Sequence, residues 1–410
     1  MKRLRGTPGP NGNPFLIVGK VPKKIKAYDQ FEIFRLASPA YFSYNAVMNR
    51  LLKTAFALWL RVRSFLNNLL SKPASFPGPL FLKGDKNQLP FLEGANLPWL
   101  NYGGDFGSSA WSPNGGVGRP ESRENLYRIF LELNERGIHT VRWFLFCDGR
   151  AGIRFSAAGT PIGPDQFIFT DLDAALEIAS ACNLKIIFVL LDFLWFAKAD
   201  QVNGVRVRGR GNVISGVYRQ LSLRRKVLKP LLKRYGRSPV ILAWDIVNEP
   251  EWVTRGFGGS IAGTAVAFLT MRGFIKKTAR LVHRHTRQLA TVGLANASGL
   301  PLVRYTGLDF YQVHWYDQWD TVAPLERPVP EWNLDRPLLL GEFPTKNSAR
   351  SPQAIIDASR QSGYCGALAW SVLGTDHASG IDLGGQAALL LNRAQASPPP
   401  LSPPRNPSRY

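Results

Sequence analysis

Two glutamates in this chain each bring an apolar run to an abrupt end. Ile241-Leu242-Ala243-Trp244-Asp245-Ile246-Val247 runs into Asn248-Glu249-Pro250, and Pro337-Leu338-Leu339-Leu340-Gly341 runs into Glu342-Phe343-Pro344. Two carboxyl groups aimed at one cleft can break a glycosidic bond, one protonating the leaving oxygen and the other attacking or directing water. Either glutamate alone reads equally well as an ordinary surface acid at a strand end. Their separation of 93 residues argues for the pair. It corresponds to three units of about 31 residues, the unit length of an eight-fold β/α barrel of about 250 residues.

The elements needed to position such a pair can be read from the pattern. Eight short apolar runs rich in β-formers lie at 94–100, 140–146, 185–191, 240–247, 289–294, 310–314, 337–340 and 366–370. Helical periodicity separates several of them, at 123–136, 172–181, 219–234, 265–287 and 352–361. Strands apolar on both faces, alternating with helices, indicate a parallel sheet covered by helices. An open doubly wound sheet would carry a glycine-rich phosphate turn after its first strand. Gly103-Gly104-Asp105-Phe106-Gly107 lacks that spacing and leads into Trp111 instead. The expected fold is therefore a (β/α)8 TIM barrel, α/β in class, with Glu249 ending strand four and Glu342 ending strand seven, facing each other across the mouth.

Trp244-Asp245-Ile246-Val247-Asn248-Glu249-Pro250 resembles the strand-four signature of the clan A glycoside hydrolases, and Leu340-Gly341-Glu342-Phe343 resembles their strand-seven segment. Arg234-Tyr235-Gly236-Arg237-Ser238-Pro239 is similar to the family 5, cellulase-like pattern before strand four, and the likeness runs over about residues 90–375. The resemblance implies a retaining hydrolase of β-glycosidic bonds, cellulase- or mannanase-like, working by double displacement. By it, Glu249 is the general acid/base and Glu342 the nucleophile, and Asn248 bonds the hydroxyl beside the reacting carbon. Arg142 holds the nucleophile ionised, His314 and Tyr316 stand beside it, and Trp370 floors the reacting sugar. A structural salt bridge is the alternative for Arg142, and a satisfied core position is the alternative for His314. The chain departs from the pattern at Asp192, where many family 5 members place a histidine. Sugar binding and pairing with Arg142 are equal readings for it.

Aromatic faces stack on the C–H faces of sugars, so Trp99, Trp195 and Trp252 are further substrate-binding candidates. Tyr102, Trp111, Trp315 and Trp319 also fall near strand ends, and half of these seven aromatics are expected to line the cleft. The expected partner is a carbohydrate substrate. The rival readings are a noncatalytic carbohydrate-binding barrel and a transglycosylase on the same scaffold.

Composition removes other classes. Three distant cysteines, Cys147, Cys182 and Cys365, cannot build a disulfide framework or a cysteine-rich zinc module. Five scattered histidines form no metal motif, so neither metal nor other cofactor is expected. The net charge of +22 invites an anionic partner, but residues 1–85 alone hold 14 Lys+Arg against three acids. Arg206, Arg208 and Arg210, with Arg224-Arg225-Lys226, read as a solvated face rather than a nucleic-acid site. Their place after strand three would suit an acidic polysaccharide better.

The chain thus divides into a basic extension, 1–85, a catalytic barrel, 86–395, and a proline-rich tail, 396–410. The extension holds an amphipathic helix at 47–70, expected to dock on the barrel, with peripheral membrane contact as its alternative. A monomer is expected. The absence of a clear signal peptide favours a cytoplasmic location, whereas a start at Met48 would read as an export signal.

Overall fold

The computed structural model describes residues 54, 55, 58, 59, 61 and 62, and 91–381 without 110, 111, 203, 258–262, 264, 321, 322 and 375. The chain divides into two units, Met1–Thr54 and Ala55–Tyr410. The extension apart from its six helical residues, the tail, and Trp111 lie outside the described residues. Among the described residues no helix is long and apolar enough to cross a membrane.

Eight parallel strands form the barrel: β1 (Leu92–Leu97), β2 (Thr140–Phe144), β3 (Lys185–Val189), β4 (Ile241–Asp245), β5 (Leu289–Thr291, resumed at Gly293–Leu294), β6 (Tyr311–His314), β7 (Leu338–Pro344) and β8 (Gly366–Trp370). Neighbours in sequence are neighbours in the sheet, and β8 pairs with β1. The ring closes through β5, whose first piece pairs with β4 and whose second pairs with β6, on either side of Val292. Each of the eight sequence runs overlaps one of these strands, six enclosing it, while β1 starts two residues before its run and β7 extends four beyond its own.

Helices between them include α1 (Pro120–Glu135), α2 (Ile168–Ala181), α3 (Lys229–Tyr235), α4 (Phe268–His285), α5 (Leu300–Val303) and α6 (Pro352–Gln361), with two short helices, Gly211–Ser215 and Val217–Ser222, ahead of α3. Their local signals are plain. In α6, Ser351 caps the Ala354 N–H and Pro352 occupies the first turn, where its missing donor costs nothing. In α4, Met271, Phe274, Ile275, Thr278, Ala279 and Val282 form the buried stripe of an amphipathic helix. A π-helical stretch, Leu223–Leu228, leads into α3. Arg61 lies 3.9 Å from Glu177 of α2, and Trp59 meets Tyr127 of α1 edge-on at 5.3 Å, so the described part of the 47–70 helix touches the outer helices.

Two cores follow from this arrangement. The larger lies between strands and helices and includes Trp143, Phe188, Trp244, Phe130 and Phe274. The smaller fills the barrel floor with Ile187, Leu242, Phe310, Leu339 and Leu368. Nearer the C-terminal strand ends the buried residues turn polar: Asn96, Arg142, Asp245, Gln312 and His314 are all 1% exposed or less. Polar groups so buried must satisfy one another, and this layer is the base of the site.

Two antiparallel hairpins, Ile153–Phe155 with Pro161–Pro164 and Asp200–Val202 with Val205–Val207, decorate the loops after β2 and β3. The second contains Arg206, within a stretch that the glycine/valine content suggests is irregular. Arg210 beyond it is buried, its guanidinium over the Phe155 ring at 3.8 Å, so the basic stretch is not simply a solvated face.

Candidate active site

The site is built on Arg142, which enters the barrel from β2 fully buried. Its Nε donates to Asp245 Oδ2 at 3.0 Å and its Nη1 to Asn96 Oδ1 at 3.0 Å. Nη1 also donates to Glu342 Oε1 at 2.6 Å, and Nη2 donates to Asn248 Oδ1 at 2.7 Å. The guanidinium thus ties β1, β2, β4 and β7 together, and its planar fork makes these contacts directional. Space for it exists because residue 293 is glycine: a Cβ there would stand 2.6 Å from Arg142 Nη2 and 2.9 Å from His314 Nε2.

Glu342 sits at an irregularity of β7. The register slips between Val313 and His314 on one side and between Leu340 and Phe343 on the other, and such bulges re-aim a side chain. Its second oxygen, Oε2, accepts from the Tyr316 hydroxyl at 2.9 Å. Glu249 follows β4 with φ 46°, in the left-handed region that a residue with a Cβ enters only under constraint. Its N–H is held by the Gly293 carbonyl at 2.7 Å, and its Oε2 accepts from the Trp252 indole at 2.9 Å.

His314 Nδ1 lies 2.8 Å from Glu249 Oε1 and 3.4 Å from Glu342 Oε2. One ligand-capable atom from each of the three residues lies within 4.8 Å of the others. Burial pushes the imidazole down to about 4, so it is neutral at pH 7. Nδ1 faces both carboxyl oxygens, sharing one proton with Glu249 Oε1 whose side depends on the imidazole tautomer, and Nε2 is buried without a partner among the described residues. The same three atoms could surround a cation, but Arg142 already supplies positive charge to Glu342.

Burial raises Glu249 to about 7, opposed by the Trp252 hydrogen bond and Arg142. Burial also raises Glu342, against the opposing pull of His314, Arg142 and the Tyr316 hydroxyl, with the Glu249 charge adding to the rise. The sequence reading has Arg142 lower Glu342. Arg142 does so, but desolvation outweighs it.

Above these groups lies a cavity of about 310 Å³ whose walls include Trp99, Phe144, Asp192, Asn248, Glu249, Tyr316, Trp319, Glu342 and Trp370. Trp370 donates its indole N–H to Asp376 at 2.8 Å. Asp192 does not pair with Arg142. Its Oδ1 accepts instead from Asn248 Nδ2 at 3.0 Å and from the Phe193 N–H at 2.9 Å. The Asn248 amide is thereby fixed at both ends, and burial raises Asp192 to about 7.

Trp195 is a correction. It is completely buried, with its indole N–H spent on the Phe146 carbonyl at 3.1 Å, so no sugar can reach its face. Trp315 is buried too, whereas Trp252 and Trp319 are exposed and Tyr102 packs behind Trp99 at 4.5 Å. Asn96, Asp245 and Asp376 were missed as site groups. Asp245 had a signal, a charge inside an apolar strand, and Asn96 a weaker one of the same kind.

The (β/α)8 barrel and the paired glutamates at its mouth are similar to those of clan A, family 5-like O-glycosyl hydrolases. The chain is 26% identical over 320 residues to a mannan endo-1,4-beta-mannosidase of Mytilus edulis, covering 68% of this chain and 83% of that one. It is 24% identical to a mannan endo-1,4-beta-mannosidase of Cryptopygus antarcticus, covering 79% and 89%. Among solved structures it is similar to the endo-1,4-beta-mannanase of Eisenia fetida, with a TM-score of 0.64 and 23% identity over 78% of this chain and 94% of that one. No protein-family model matches the chain.

Proposed function

We propose that this chain cleaves internal β-1,4 linkages of a mannan with net retention, Glu342 acting as nucleophile and Glu249 as acid and then base. The observation that carries the reading is the approach of the two carboxyl groups, with oxygens within 4.8 Å of each other beside His314. Retaining enzymes need carboxyls about 5 to 5.5 Å apart, whereas inverting enzymes need about 6.5 to 9.5 Å to admit a water. The names of the relatives supply mannan as the substrate.

The assignment of roles follows from the partners. Glu342 has the guanidinium and the phenol hydroxyl, both donors that favour its charged form, as a nucleophile requires. Glu249 has only an indole and a neutral imidazole, so it keeps its proton to about pH 7 and can give it to the leaving oxygen. Attack by Glu342 on the anomeric carbon then breaks the glycosidic bond and leaves a glycosyl ester. Glu249, now ionised, takes a proton from water as the water oxygen attacks the same carbon and Glu342 departs. Asn248 has one amide hydrogen left beyond its bond to Asp192, available to the hydroxyl beside that carbon. Trp370 and Trp99 offer faces for the sugar ring.

The test is hydrolysis of soluble mannan, with cellulose and xylan as comparators, followed by NMR of the first-formed anomer. Mannan chains should shorten rapidly with the β-anomer appearing first. Inactivity on mannan, or an α-anomer first, would end this reading.

A further inference from the structure

The segment after β4 holds a second buried acid that the proposed reaction does not use. Glu251 is 6% exposed, and neither of its carboxyl oxygens has a hydrogen-bond partner among the described residues. Its carboxyl presses on the segment after β5: a Cβ on Gly299 would stand 2.0 Å from Oε1, and the backbone N–H groups of Ala295 and Asn296 face it. Two residues earlier, the Glu249 N–H is tied to the Gly293 carbonyl of the same β5 element at 2.7 Å. The 3-10 turn Pro250–Val253 is thus pinned to β5 twice, once by backbone and once by the Glu251 side chain.

We infer that Glu251 is a positioning residue for Glu249, its enclosed carboxyl acting as a strut that holds the strained left-handed backbone at 249 and aims the side chain into the cavity. The inference rests on the reading of Glu249 as proton donor. The Ala295 and Asn296 N–H groups favour the charged form of this carboxyl, but enclosure makes charging it costly, and desolvation outweighs them. Burial, helped by the Glu249 charge, raises Glu251 to about 8. Among the described residues, the turn Phe193–Trp195 packed against its own turn is apolar, and the charged side chain acting on Glu251 is Glu249. The strut should therefore hold while Glu251 is protonated and fail as it ionises.

The experiment compares kcat and KM on soluble mannan for the wild type, Glu251→Ala, Glu251→Gln and Gly299→Ala, with folding checked by circular dichroism. Glu251→Ala should lower kcat about tenfold or more with KM within about twofold, because misaiming a proton donor costs rate rather than binding. Glu251→Gln, which keeps shape and neutrality, should restore most of the rate. Gly299→Ala should lower kcat as Glu251→Ala does, since its Cβ displaces the carboxyl. In the wild type the alkaline limb of log kcat/KM should steepen from a slope of about −1 to about −2 above about pH 8, as Glu251 ionises after Glu249. Glu251→Gln should keep the single slope. An unaltered kcat in Glu251→Ala, or a second slope surviving in Glu251→Gln, would overturn the strut. If Glu251→Ala does not fold, Glu251→Gln and Gly299→Ala still decide the matter. Wild-type activity and azide rescue of Glu249→Ala test the underlying reading separately, so its failure and the strut's can be told apart.

Discussion

Arg142 and Glu342 form a buried ion pair, 2.6 Å from Nη1 to Oε1, in which the guanidinium is wholly enclosed. The same cation pairs with Asp245 at 2.9 Å, so removing it strands two carboxylates in the barrel. Arg142→Met should cost about 3 to 5 kcal/mol of stability, the usual price of leaving buried charge unpaired. Arg142→Lys should rescue neither stability nor rate, because a point charge cannot reproduce the fork. Urea unfolding and kcat measured on both variants check this.

The pH dependence has a definite sign. In its proposed role Glu249 acts as acid only while protonated, so kcat/KM should fall above about pH 7 as it ionises. Glu249, Glu251 and Asp192 all titrate above their unfolded values in the native state, so the native protein binds more protons. Their stabilising contribution is complete below the unfolded pKa of about 4 and is lost as pH rises through the folded values. Tm should decline from about pH 4 to about pH 8 and level off above it, and scanning calorimetry across that range checks it.

The two glutamates should be distinguishable by azide rescue. Glu249→Ala with an activated aryl glycoside should yield the β-glycosyl azide, and Glu342→Ala the α-azide. Swapped products in the NMR spectrum would reverse the assigned roles.

Two tryptophans near the mouth should respond in opposite ways. Trp195→Ala empties a fully buried site and should cost about 3 to 5 kcal/mol with little change in KM among molecules that remain folded. Trp319→Ala, at 67% exposure on the cavity wall, should change stability by no more than about 0.5 kcal/mol and raise KM. Thermal melts with Michaelis kinetics separate the two.

A chain trimmed to 86–395 should keep its turnover at moderate temperature. Loss of the Trp59–Tyr127 contact should lower its Tm. A folded but inactive trimmed chain would show that the extension reaches the cleft and would move the proposed domain boundary.

The barrel was legible because short, largely apolar runs alternate with helical patterns, and Glu249 and Glu342 were legible because each breaks such a run. Asp245 was not recognised as a site group, since from sequence a buried acid in a strand looks like a boundary error until its cation is seen. Trp195 failed for a related reason: proximity to a strand end does not say which way a ring points, and the turn Phe193–Trp195 points it into the core. For Asp192 the sequence leaves sugar binding and pairing with Arg142 equal, because its link to Asn248 depends on how two loops meet, which no local pattern encodes.

The left-handed backbone at residue 249 has an evolutionary corollary. Glycine adopts that conformation without strain, so Glu249→Gly relieves the backbone and removes a buried acid in a single step. On the proposed role of Glu249, a selection for heat resistance alone would therefore enrich inactive variants at this position. Directed evolution of this chain must couple each round of thermal challenge to turnover, or it will discard the chemistry first.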